Sequence, residues 1–176
     1  MSRIVKVVLA GESGSGKSSL LSRYLDNGHN MSYSPTVGID IGIKSIDDQN
    51  VKLHIWDTAG QERFRSVSIS YFRNAETVML CFDMTSQISF DSLESWTLYI
   101  SDNSQVIVVG CKADLPIVVN MDHVHNWCRT QGYLYAETSA LTGRGIEDLF
   151  SMISIPEDEV ENPSLNTRSA LLCRCQ

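Results

Sequence analysis

Apolar and polar positions along the chain fall into short β-type runs that alternate with stretches of helical spacing. Ile4–Ala10 (IVKVVLA) is short and β-branched, the pattern of a buried strand. Gly11-Glu12-Ser13-Gly14-Ser15-Gly16-Lys17-Ser18 follows, and then Ser19–Leu25, where Leu20, Leu21, Tyr24 and Leu25 recur on one helical side. Asp26-Asn27-Gly28 stops that helix, and residues 29–38, polar and containing Pro35, read as a loop. Val37–Ile46 alternates at Val37, Ile39, Ile41 and Ile43, which predicts a strand with that face buried. The turn cluster Asp47-Asp48-Gln49-Asn50 joins it to Val51–Trp56, so residues 39–56 should form a hairpin. Asp57–Ser70 reads as a loop passing into a short helix. Thr77–Phe82, Gln105–Cys111 and Tyr133–Ala136 read as strands; Ile88–Ile100 (with a face of Leu93, Trp96, Leu98 and Ile100), Asp122–Thr130 and Ile146–Ile155 read as helices. The alternation predicts an α/β fold: a six-stranded, mostly parallel sheet with one antiparallel hairpin strand and helices on both faces. Pro156 should end the last helix, placing one domain at residues 1–155 and a flexible tail at 156–176.

Composition narrows the class. At 176 residues the chain fits a single domain, and 43% hydrophobic with 20% charged residues is ordinary for a globular protein. A net charge of −7 lacks the basic footprint of a nucleic-acid binder. Cysteines at 81, 111, 128, 173 and 175 are odd in number and irregularly spaced, which suits a reducing compartment better than a disulfide framework or a zinc site. The first apolar run is too short for a signal peptide, and no stretch approaches the roughly 20 apolar residues of a membrane span. The expectation is an intracellular protein, soluble as a monomer.

Four loops, each after a predicted strand, carry candidate chemistry. Gly11–Ser18 matches G-x-x-x-x-G-K-[ST], between a buried strand and a helix. Glycines let backbone N–H groups close on phosphates, and the helix that follows aims its positive end at the same anion. Lys17 would reach the outer phosphates and the Ser18 hydroxyl would ligate Mg²⁺, with Ser13, Gly14, Ser15, Gly16 and Ser19 completing the cradle. Asp57 at a strand end can hold Mg²⁺ through water, the Gly60 N–H can turn toward a γ-phosphate, and Gln61 can orient an attacking water. In Cys111-Lys112-Ala113-Asp114 a carboxylate can accept from both N1–H and the 2-amino group of guanine, donors that adenine lacks, while the Lys112 stem lies along the base. Glu137-Thr138-Ser139-Ala140 closes the set. Each short motif is weak alone; the four in this order, at the carboxyl ends of strands, point jointly to a nucleotide site.

With these residues in place the sequence resembles a Ras-superfamily small GTPase, and within it the Rab family, from about Ile4 to Ile155. The resemblance lies in Val37-Gly38-Ile39-Asp40-Ile41, Lys52-Leu53-His54-Ile55-Trp56, Gln61-Glu62-Arg63-Phe64-Arg65-Ser66, Tyr71-Phe72-Arg73-Asn74-Ala75, Phe82-Asp83-Met84-Thr85 and the Glu12–Ser15 interior of the first loop. It implies a P-loop NTPase G domain that binds GTP and GDP with Mg²⁺ and hydrolyses GTP slowly. Thr36 would then be the first-switch threonine, on Mg²⁺ and the γ-phosphate, and residues 29–40 and 58–73 the switch segments. Ile41, Trp56 and Tyr71 would form the patch that partners read; a strand aromatic that merely packs is the plain alternative for Trp56. An exchange factor, a GTPase-activating protein, effectors, a GDP-dissociation inhibitor and the prenylation machinery are the implied partners.

The chain also departs from the family pattern. Ile41 stands where Rabs usually carry Phe, Cys111 replaces the Asn or Thr that opens N-K-x-D, His29 a Phe beside the guanine edge, and Leu141 the Lys of E-T-S-A-K. A thiol is a poor donor, so guanine retention is expected to be weaker and exchange faster than in a typical Rab. A binding module with little useful cycling is therefore the competing reading; an ATPase or kinase is disfavoured by Asp114 and D-T-A-G-Q-E. Cys173-Arg174-Cys175-Gln176 resembles a doubly geranylgeranylated Rab end and, less well, C-a-a-X. The tail is acidic, so stable residence on the cytosolic face of endomembranes or the plasma membrane calls for two lipids.

Overall fold

A computed structural model describes residues 2–26, 39–46, 50–58 and 70–155. Six strands form one sheet: β1 (Arg3–Ala10), β2 (Ile39–Ile46), β3 (Val51–Thr58), β4 (Thr77–Asp83), β5 (Gln105–Cys111) and β6 (Leu134–Glu137). Their order is β2-β3-β1-β4-β5-β6; β2 runs antiparallel to β3 and every other pair is parallel. The α/β class, the six strands and the single antiparallel pair are as the periodicity requires.

The alternation of side chains along β1 builds the two faces. Val5, Val7 and Leu9 join Leu20, Leu21 and Tyr24 of α1 (Lys17–Asp26) and Leu149 and Phe150 of a C-terminal helix, Ile146–Ser151, in one core. Tyr24 and Phe150 stack with ring centroids 3.6 Å apart. Val8 and Ala10 face a second core containing Phe82 of β4 and Phe90, Trp96, Val124 and Cys128, the last four carried by α2 (Gln87–Asp91), α3 (Glu94–Thr97) and α4 (Met121–Gln131). The C-terminal helix is α5. The caps are those the sequence favours: Ser86 and Asn120 accept the Ser89 and His123 N–H groups, and Gly132 ends α4 at φ +72°. Among the described residues no helix is long and apolar enough to cross a membrane.

Four expectations are corrected. The helix expected over 88–100 is two short pieces, and Leu98 is exposed while Leu93 and Trp96 are buried. Serine and threonine cause the break: Ser92, Ser95 and Thr97 hydroxyls bond back to the carbonyls of Ser89, Ser92 and Glu94, and the N–H groups of Leu93, Trp96 and Tyr99 bond three residues back. In β2 the alternating isoleucines mark the outer face, with Ile41 and Ile43 exposed. The inner face is Gly42, where a Cβ would lie 2.6 Å from a Leu25 methyl of α1, so the helix leaves room for nothing larger without repacking. Strand β3 runs through Asp57 to Thr58, past the expected end at Trp56, because the Thr58 hydroxyl donates to Leu9 O at 2.7 Å. Helix α5 stops at Ser151 instead of Ile155, giving way to turns in which Met152 and Ile153 N–H bond three residues back.

Candidate nucleotide site

Parallel pairing sends the carboxyl ends of β1, β3, β4, β5 and β6 to one edge of the sheet, and the candidate residues gather there. After β1 the chain must turn hard. Gly11 does this at φ +136°, with the position of a Cβ only 2.0 Å from Cys81 O on β4. The loop then curls over Lys17, whose buried ammonium donates to Gly11 O (2.9 Å), Glu12 O (2.7 Å) and Ser15 Oγ (3.3 Å). Burial holds the Lys17 pKa below its ordinary value. Its head is thus fixed inside the loop before any anion arrives, at the N-terminus of α1.

Ser18 sits one residue into α1, and its hydroxyl donates to Asp57 Oδ2 on β3. Asp57 is buried and registered against Leu9 of β1 and Asp40 of β2. A hydroxyl and a buried carboxylate from two different elements are hard oxygen donors of the type Mg²⁺ takes, so the pair fits that ion. The phosphate cradle fits too: Gly16, at φ +111°, lies so close to β5 that a Cβ would meet Cys111 Cβ at 3.1 Å. Thr36, Gly60 and Gln61 lie outside the described residues.

The segment Cys111–Asp114, expected to read the base, forms a second wall. A cavity of about 220 Å³ is lined by Gly16, Ser19, Cys111, Lys112, Asp114 and Ala140, among others. Asp114 Oδ1 accepts from Ser139 Oγ at 2.6 Å, and Ser139 Oγ accepts from Thr142 N at 3.1 Å, so the carboxylate has a fixed orientation. Cys111 is buried with its sulfur 4.0 Å from Thr138 Oγ1, and Leu141 also lines the cavity while being 67% exposed. Ser13 and Gly14 lie in the loop itself. Sequence reasoning assigned no role to Asp83, which holds Lys112; Thr138, within the fourth loop, donates its N–H to Gly110 O. The signal for Asp83 was local: an Asp two residues before Thr85 is an Asx turn, and its Oδ1 accepts from Thr85 N at 2.8 Å.

Ile41 and Trp56 are Cα partners across β2 and β3, and Trp56 and Tyr71 rings lie 5.3 Å apart. The three residues expected to form a patch are therefore neighbours. Trp56 also packs against the second core, with Lys6 Nζ 5.0 Å from its ring centroid. Cys173 and Cys175 lie outside the described residues, as does His29. Cys81 and Cys128 are buried free thiols. Among the described residues no group of three potential metal ligands of the His/Cys/Asp/Glu type is present.

The family model of the Ras family matches residues 6–156. Ras-related protein Rab-4 of Dictyostelium discoideum is 41% identical over 155 residues, covering 84% of this chain and 76% of the relative. Ras-related protein Rab-1 of Theileria parva is 39% identical over 160 residues, 86% of this chain and 73% of the relative. Ras-related protein RABA1h of Arabidopsis thaliana is 37% identical over 158 residues, 85% and 72% respectively. The family-model match over residues 6–156 and relatives of this closeness make the chain a Rab-family member of the Ras superfamily of small GTPases.

Proposed function

We propose that the chain is a Rab-type switch in membrane trafficking, recruiting effectors when loaded with GTP and releasing them after hydrolysis. The observation that carries this reading is the convergence of the Lys17 head, the Ser18–Asp57 pair and the Asp114–Ser139 pair at one edge of one sheet. Lys17 neutralises charge on the outer phosphates, and Gln61 orients a water for in-line attack on the γ-phosphate, with Thr36 and the Gly60 N–H contacting that group. Ser18, Thr36 and Asp57 are the residues that would hold Mg²⁺, which when bound supplies further charge neutralisation. The chain offers no assigned arginine finger, so intrinsic turnover is slow and a GTPase-activating protein supplies about 10³–10⁵ in rate.

Protein purified from its native source is expected to carry stoichiometric guanine nucleotide, and Gln61→Leu to slow single-turnover GTP hydrolysis about 10²-fold while nucleotide stays bound. A variant hydrolysing at the wild-type rate refutes the role of Gln61. A wild-type protein without nucleotide favours the second reading, a G-domain-like binding module. The buried Cys111 thiol, standing where the resemblance implies Asn or Thr, is the observation on that side.

Membrane residence would come from two prenyl groups on Cys173 and Cys175, since the four acidic and two basic residues of 156–176 provide no cationic anchor. An exchange factor, a GDP-dissociation inhibitor and prenylation enzymes complete the cycle between the cytosol and that membrane. The mass of the terminal peptide from native cells should show two prenyl additions; two free thiols would exclude the anchor.

A further inference from the structure

Asp83 ends β4 directly beside Cys111 of β5, its register partner. Its carboxylate is taken by three donors. Thr85 N and Thr85 Oγ1 give to Oδ1 at 2.8 and 2.7 Å, and Lys112 Nζ gives to Oδ2 at 2.5 Å. Its own N–H donates to Ser89 Oγ at 3.0 Å. Burial alone would raise the Asp83 pKa, but the Lys112 and Thr85 hydrogen bonds outweigh it and hold the carboxyl below its usual range. It is a fixed anion at the end of β4, bound to a residue that lines the cavity and lying outside the four loops that carry the site.

Lys112 needs such a partner. Its backbone lies in the left-handed region at φ +63°. Hydrogen bonds clamp both sides of it, Met84 N to Cys111 O at 3.1 Å and Ala113 N to Thr138 O at 3.0 Å. Lys112 is one of the residues lining the cavity. A lysine loses more rotamer freedom on ordering than most residues. With its head bound to Asp83, the stem is ordered at folding, so nucleotide binding does not bear that cost.

We propose that Asp83 is a positioning residue for guanine binding, anchoring the Lys112 ammonium so that the lysine stem is held along the wall of the base cavity. This rests on the reading of Lys112 and Asp114 as the base-contacting residues. Asp83 itself touches no nucleotide in this scheme; it acts through Lys112. The ion pair is half shielded, with side-chain exposures of 14% for Asp83 and 36% for Lys112. That places it between the exposed pairs that contribute little and the desolvated ones that contribute much.

The test is a double-mutant cycle on GDP dissociation from the full chain, using Asp83→Asn, Lys112→Met and the two combined. Asn keeps an oxygen for Thr85 and loses the charge that holds the lysine. Asp83→Asn is expected to speed GDP release about tenfold, the scale of one charge-assisted hydrogen bond. The double variant should release no faster than Lys112→Met alone, because both changes remove one interaction. A carboxylate that only braces the β4 end would give effects that multiply. Release at the wild-type rate from Asp83→Asn, or multiplying effects, overturns the proposal. If Asp83→Asn does not fold, Thr85→Val, which removes one of the donors fixing the carboxylate, should speed release about threefold; an unchanged rate is again fatal. A wild-type chain that binds no guanine nucleotide removes the reading beneath the proposal, and the proposal with it. Wild-type retention with an unaltered Asp83→Asn rate sinks the positioning role alone.

Discussion

Asp114→Asn is expected to weaken GDP binding about 10³-fold and to raise affinity for xanthosine diphosphate. Sites built to hydrogen-bond a base edge reject a mismatched edge by factors of this size or more. Ser139 Oγ already fixes one Asp114 oxygen at 2.6 Å, and Ser139 is itself fully buried. A carboxylate accepts on both oxygens and donates on neither, which matches the N1–H and 2-amino donors of guanine. An amide turns one acceptor into a donor that faces a guanine donor, so a contact is lost and a repulsion gained. Xanthine carries a carbonyl at that carbon and accepts from the new amide. Equilibrium titration with GDP and xanthosine diphosphate measures both arms. An Asn variant that binds GDP within tenfold of the wild type would remove Asp114 from the base-reading role.

Gly11→Ala should lower stability by about 4 kcal/mol or more, a loss at the extreme of single substitutions. Two causes act together. The residue sits at φ +136°, where side chains are strained, and the added methyl would lie 2.0 Å from Cys81 O, a backbone atom in the middle of the sheet. Neither a rotamer change nor a side-chain shift relieves a clash with a strand carbonyl. For a domain of this length the loss corresponds to a fall in Tm of about 10 °C or more. A thermal melt in the presence of GDP measures it, and a melt within 2–3 °C of wild type, about 1 kcal/mol on the same scale, would mean that the loop does not lie against β4 as described.

Much of this was legible in the sequence, for definable reasons. Strands β1, β4 and β5 are covered on both sides, and continuous apolar runs such as Thr77–Phe82 have no other comfortable place. The Lys17 and Ser18 positions followed from motif spacing, because a phosphate loop constrains the backbone so tightly that few sequences serve. Legibility failed where short-range and long-range demands disagreed. Over residues 88–100 the apolar spacing asked for a helix, but hydroxyls at Ser92, Ser95 and Thr97 took carbonyls that a continuous helix needs. In β2 the hydrophobic face lay outward, because the deciding contact was Gly42 against α1, and a glycine adds nothing to a hydropathy pattern. Asp83 escaped attention because its partner Lys112 is 29 residues distant and is brought near only by the register of β4 and β5.

The register of β2 and β3 also sets how far a message must travel. Asp57, the carboxylate paired with Ser18, and Trp56, the neighbour of Ile41 and Tyr71, are consecutive residues of one strand. Consecutive strand residues point to opposite sides of a sheet. What holds the carboxylate and what a partner would touch are therefore separated by a single peptide unit. Across β2, Asp40 faces Asp57 and Ile41 faces Trp56, so the neighbouring strand repeats the arrangement. In the proposed switch, communication between ligand and surface would require no long chain of intermediaries: a shift of one ladder rung would register on both sides at once.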